Sequence, residues 1–90
     1  MQFQFEVTAA SKYTMLSIIE YLCLYSKKTP ISKYHIMTKI IGITQQRPDR
    51  ISLILNKLEQ NGYIKSIETP NAKFYLVTEK GFNAYLFKMD

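Results

Sequence analysis

Cysteine and histidine are nearly missing from this chain of 90 residues: each occurs once, as Cys23 and His35. A lone cysteine closes no internal disulfide, and one of each type builds neither a cysteine-based zinc site nor a histidine pair. Glycine is scarce too. Gly42, Gly62 and Gly81 stand too far apart for a phosphate-cradling loop, and there is no GxSxG elbow. No apolar run approaches the roughly 18 residues of a membrane span. The start, Met1-Gln2-Phe3-Gln4-Phe5-Glu6, has neither the basic region nor the apolar core of a secretory leader, so a cytoplasmic location is expected. Nothing proposes catalysis, and no cofactor or metal is expected. Acidic residues are the scarcer charge, 7 against 12 basic ones, for a net of +5. That excess in a short chain points to a polyanion, either nucleic acid or an anionic membrane surface.

What is present is ordinary globular composition, with 47% hydrophobic and 21% charged residues, and a length that fits one small domain. Prolines and glycines divide it. Residues 1–10 read as an N-terminal arm or strand, with Phe3, Phe5 and Val7 alternating against polar neighbours. A helix is predicted over 11–26, capped by Ser11 or Thr8, with Met15, Ile18, Ile19 and Leu22 as its apolar stripe. Lys27 and Lys28 follow in or just past its last turn, and Pro30 stops it. Ser32 opens a second helix over 32–41, with Ile36, Met37, Ile40 and Ile41 on one side and Gly42 at its C′ position. Pro48 suits the first position of a third helix over 48–61, whose stripe is Ile51, Ile54, Leu55 and Leu58. The second and third helices form a helix-turn-helix. A hairpin over 63–77 follows, turning at Thr69-Pro70-Asn71-Ala72. Thr78 caps a last helix over 79–88, with Phe82, Tyr85, Leu86 and Met89 on one face.

The charge is unevenly placed. Residues 27–57 hold seven basic residues and one acid, Asp49, a net of +6; the rest of the chain nets −1. A one-sign segment in a helix-turn-helix is the footprint of phosphate binding. On the third helix, the side opposite the stripe holds Asp49, Leu53, Asn56 and Gln60, with Arg50 and Lys57 on one edge and Ser52 on the other. Arg pairs with guanine, Asn and Gln pair with adenine, and an apolar group meets a thymine methyl. Leu53 suits either such a methyl or ordinary packing. Cys23, one position past the first stripe, reads as a buried small hydrophobe or an interface residue. An intermolecular disulfide stays open if two copies meet there. His35 reads as a surface or capping residue.

The stretches LILNKLEQNGYIKS (53–66) and FYLVTEKGFNAYL (74–86) resemble winged-helix DNA-binding regulators. They are most similar to small MarR- and PadR-like proteins of archaea and their viruses and plasmids. There a leucine-rich recognition helix ends in LE..G.I, and a wing leads to Y.LT.KG. The resemblance covers residues 12–89 and implies an α+β winged helix-turn-helix: a three-helix core, a β-hairpin wing and a C-terminal helix. It implies that Arg50, Leu53, Asn56 and Lys57 lie nearest the bases. It places Lys33, Lys39 and Tyr34 on phosphates, with Gln45, Gln46 and Arg47 beside them in a turn longer than the family's common one. The wing, with Asn71 and Lys73, reaches a phosphate or the minor groove. A viral source would place the chain in the host cytoplasm or nucleoid.

The expected function is a sequence-specific double-stranded DNA-binding transcription regulator, a homodimer on a palindromic site. Phe3, Phe5, Tyr21, Tyr85 and Met89 are the expected interface residues, and no membrane role is expected. An effector ligand is left unknown. Two alternatives stand beside this reading. One is an architectural or plasmid-partition protein with low sequence preference. The other is a winged-helix module that binds protein.

Overall fold

The computed structural model describes residues 9–40, 42–43 and 46–87. The element order is α1 (Ala9–Tyr25), β1 (Ile31–Ser32), α2 (Lys33–Lys39), α3 (Pro48–Gln60), β2 (Ile64–Glu68), β3 (Lys73–Val77) and α4 (Glu79–Leu86). The class is α+β, and the arrangement is a winged helix-turn-helix.

α1 is free of glycine and proline, and its stripe Met15, Ile18, Ile19 and Leu22 is buried, joined by Cys23. Two strong helix formers, Ala9 and Ala10, extend it upstream of the predicted start, so Ser11 lies within the helix and is not its cap. It stops at Tyr25, leaving Lys27 and Lys28 beyond its last turn. Ser26 then stitches helix to sheet. Its buried hydroxyl donates to the Leu22 carbonyl at 2.5 Å and accepts from the Val77 amide at 3.1 Å.

β1 was not foreseen, because two residues are too few to show a period. It pairs antiparallel with β3, Ile31 opposite Tyr75 and Ser32 opposite Phe74. β3 therefore runs between β1 and β2, and the wing hairpin is one side of a three-stranded sheet. In the β2–β3 pairing Ile64 lies opposite Val77 and Glu68 opposite Lys73. Tyr75, at the middle of the central strand, is buried.

α2 is shorter than the predicted 32–41. Ser32 caps it, accepting from the His35 amide at 3.0 Å. The chain leaves helical geometry at Ile40, a β-branched residue with ψ 119°, so Gly42 comes two residues after the C-cap instead of directly following it. Gly42 has φ 89° in the turn beyond. Pro48 opens α3 as expected. Its end is a Schellman motif: the Gly62 amide, at φ 81°, donates to Glu59 O at 3.0 Å and the Tyr63 amide to Leu58 O at 3.0 Å.

Thr78 caps α4 through the Gly81 amide at 3.1 Å. Gly81 is buried, and a Cβ there would overlap the Tyr63 carbonyl, so glycine lets α4 lie on the turn that ends α3. The helix stops at Leu86 with Phe87 as its C-cap, short of the predicted 88. Leu86, assigned to the apolar face, is exposed. The core gathers the α1 stripe, Ile36, Ile40, Ile43, the α3 stripe, Tyr63, Ile64 and Tyr75. Phe3, Phe5, Val7 and Thr8 of the arm, with Ile41, Gln45, Lys88 and Met89, lie outside the described residues.

Candidate nucleic-acid interface

α3 has two unlike sides. Ile51, Ile54, Leu55 and Leu58 are buried, while Asp49, Arg50, Leu53, Asn56, Lys57 and Gln60 face outward. Leu53 is 69% exposed, so it does not pack on a neighbouring loop. An apolar side chain held in solvent between Arg50 and Asn56 is a surface that gains by being covered. The four residues expected nearest the bases thus share one accessible face.

The turn before α3 is braced from inside. The Gln46 amide nitrogen donates to Thr14 Oγ1 at 2.9 Å and to the Gly42 carbonyl at 3.1 Å, and its oxygen accepts from Arg50 Nε at 3.1 Å. Gln46 therefore spends its amide on protein groups. Arg47 pairs with Asp49 at 3.0 Å, with both side chains largely exposed. Such a pair contributes little to stability.

On α2, Tyr34, Thr38 and Lys39 are exposed and Lys33 is half-buried. His35 faces inward, its Nε2 meeting the Tyr21 hydroxyl at 2.5 Å. Tyr21 also packs its ring 4.6 Å from that of Tyr25. The Lys27 ammonium lies 5.4 Å over the Phe82 ring of α4. The +6 therefore belongs to a stretch of chain and not to a single face.

The wing tip is closed by Thr69, whose amide donates to Ala72 O at 2.8 Å and whose hydroxyl accepts from the Ala72 amide at 3.1 Å. Asn71 is exposed at the tip. Lys73 is turned inward to Glu59 of α3 at 3.7 Å and over the Tyr75 ring at 5.6 Å, so the tip carries less positive charge than its sequence. Glu59 also accepts from the Ser66 hydroxyl at 2.5 Å. One carboxylate on α3 thus ties down both wing strands, a clamp that sequence reading missed because its partners lie seven and fourteen residues away. Burial pulls the Lys73 ammonium down, but Tyr75, Glu59 and Glu68 outweigh it and hold its pKa above the ordinary value. Burial raises the Tyr75 phenol, against the opposing pull of Lys73.

A second kind of surface lies on α1 and α4, which pack together. Tyr13, Leu24, Tyr25, Leu86 and Phe87 are all more than half exposed there. Of the residues expected at a subunit interface, Tyr21 and Tyr85 are only partly buried, packed against the core. Leu24 and Phe87 were not foreseen. An open groove of about 270 Å³ runs between α1 and the end of α2, lined by Tyr21, Leu24, Tyr25, Glu20 and Lys39. Among the described residues no three His, Cys, Asp or Glu side chains gather as a metal site, and no helix is long and apolar enough to cross a membrane.

No family model and no curated protein matches the chain in sequence. Solved structures do match it in shape. AF1382 of Archaeoglobus fulgidus superposes with a TM-score of 0.72 at 18% identity, over 87% of this chain and 82% of that one. MepR of Staphylococcus aureus, in its complex with DNA, gives 0.70 at 18% identity, over 96% of this chain and 64% of its own. ZitR of Lactococcus lactis, a zinc-responsive MarR family member, gives 0.61 at 14% identity, over 98% and 55%. At these identities the likeness establishes the winged-helix fold. This chain spans less than two thirds of the MepR and ZitR chains.

Proposed function

We propose that the chain is a sequence-specific double-stranded DNA-binding transcription regulator, acting as a homodimer on a palindromic site inside the cell. The observation that carries this reading is the outer face of α3, where Arg50, Leu53, Asn56 and Lys57 stand together, exposed, above a buried stripe. A helix of that width enters the major groove, and these side chains are of the types that distinguish base edges. Lys33, Tyr34, Lys39 and Arg47 contact phosphates, and the wing adds Asn71, with Lys73 acting after release from Glu59. MepR, a transcription regulator of similar fold, is seen with DNA bound, which supports the assignment.

The homodimer rests on the apolar surface of α1 and α4. A two-fold axis there covers Leu24, Tyr25 and Phe87, and in such a dimer two α3 helices about 34–36 Å apart fall in successive major grooves. With about six phosphate contacts per dimer, log K falls against log salt with a slope near −5. Duplex titrations at several salt concentrations measure it. Binding indifferent to salt, or none to any duplex, would sink the proposal. Lys39→Ala is expected to weaken binding to all sequences and to lessen the slope by about one per subunit.

A further inference from the structure

We propose that Gln46 is a positioning residue. In this reading it fixes the recognition arginine, Arg50, from the body of the fold and sets a guanine preference in the half-site. The inference rests on the DNA-reading role given to α3. Thr14 of α1 is buried at 5% exposure, and its hydroxyl accepts from Gln46 Nε2 at 2.9 Å. The same nitrogen donates to Gly42 O at 3.1 Å. The orientation of the amide follows from its partners. Turned over, it would set its oxygen against a carbonyl and its nitrogen against a guanidinium, so it accepts from Arg50 Nε at 3.1 Å. A chain of hydrogen bonds therefore runs from the interior of α1 to the outer face of α3, spanning 32 residues of sequence in its first step.

Two consequences follow for recognition. Arg meets guanine through paired N–H groups on O6 and N7, and two edges of the guanidinium offer such a pair. With Nε bonded to Gln46, the compatible edge is the one formed by the two terminal nitrogens, so Arg50 approaches end-on. Its stem is also ordered before DNA arrives. Immobilising a side chain of this length on binding weakens a contact roughly two- to tenfold, and the bracket removes that cost beforehand. Gln46 thus acts on sequence preference through Arg50 without touching a base.

In-vitro selection of bound duplexes separates this inference from the reading beneath it. The wild-type chain is expected to enrich a half-site containing a guanine that Arg50→Ala no longer enriches. Gln46→Ala is expected to lower preference for that guanine roughly two- to tenfold, with other positions unchanged. Combined with Arg50→Ala it should add nothing further. Thr14→Val, which keeps the shape and removes the acceptor, should act in the same direction, and Thr14→Ser should restore the preference. Enrichment of that guanine undiminished in Gln46→Ala and Thr14→Val overturns the inference alone, as does an additive double variant. A wild-type chain that enriches no sequence overturns it together with the DNA-reading role.

Discussion

α1 and α3 both bury a stripe at helical spacing, yet their outer sides differ. α3 shows arginine, asparagine, lysine and one leucine to solvent, whereas α1 shows Tyr13, Leu24 and Tyr25. The inward sides do the same work of filling one core. The outward sides call for different partners, since a charged and amide-bearing face is satisfied by a polyanion and a tyrosine- and leucine-bearing face by another apolar surface. The hydrogen bonds through Gln46 join the two helices, tying the buried side of α1 at Thr14 to Arg50 on the polar side of α3.

The contrast is broken most severely from inside. Ile18→Ala on α1 and Leu55→Ala on α3, both at 0% exposure, should each lose about 2–5 kcal/mol in urea unfolding. Equal losses on the two helices would confirm that their inner sides are equivalent. A loss under 1 kcal/mol at either would place that residue outside the core.

Alkaline pH acts next, and on the wing. The Tyr75 phenol and the Lys73 ammonium are both held above their ordinary values of 10.0 and 10.5. A group whose folded pKa is raised lends stability that is complete below its ordinary value and is lost as pH climbs through the raised one. The urea midpoint should therefore be unaffected by these two groups up to about pH 9 and decline beyond the ordinary value of 10.0. Tyr75→Phe should make the decline shallower. A midpoint that rises above pH 10 would refute the assigned direction.

The smallest effects on stability belong to the outer sides, and there the helices should part. Leu53→Ala should change unfolding free energy by no more than about 0.5 kcal/mol, as exposed substitutions do, and Leu24→Asp should lower it only by what the contact between subunits contributes. Leu53→Ala should leave the mass in solution unaltered and shift base preference. Leu24→Asp should lower the mass toward the monomer, as read by light scattering, and weaken DNA binding with base preference kept. Exchange of these two phenotypes would reverse the roles given to the two surfaces.

Much of the fold is legible in the sequence, for reasons the residues make plain. The α3 stripe repeats at i, i+3, i+4 and i+7 between a proline and an Asn-Gly pair, so its faces were assigned correctly from helix geometry. β1 was hidden because two residues carry no period, and its pairing with β3 depends on chain more than forty residues away. The end of α2 was misplaced because Gly42 drew the boundary, whereas backbone geometry changed at Ile40. The resemblance puts Gln46 beside the phosphate contacts and Lys73 on a wing that reaches a phosphate or the minor groove. Their partners within the chain, Thr14 and Glu59, come from other elements, and nothing local announces them. Gly81 looked like part of a motif until the closeness of the Tyr63 carbonyl showed why a side chain has no room there.

A sequence-reading role for the outer face of α3 is decided by selecting bound duplexes from a random pool with the wild type, Arg50→Ala and Asn56→Ala. The expected outcome is an inverted repeat with half-sites one helical turn apart, and a separate loss of about 1–3 kcal/mol of discrimination at a different base pair for each variant. A pool that stays random, or two variants that weaken every sequence alike, would contradict it.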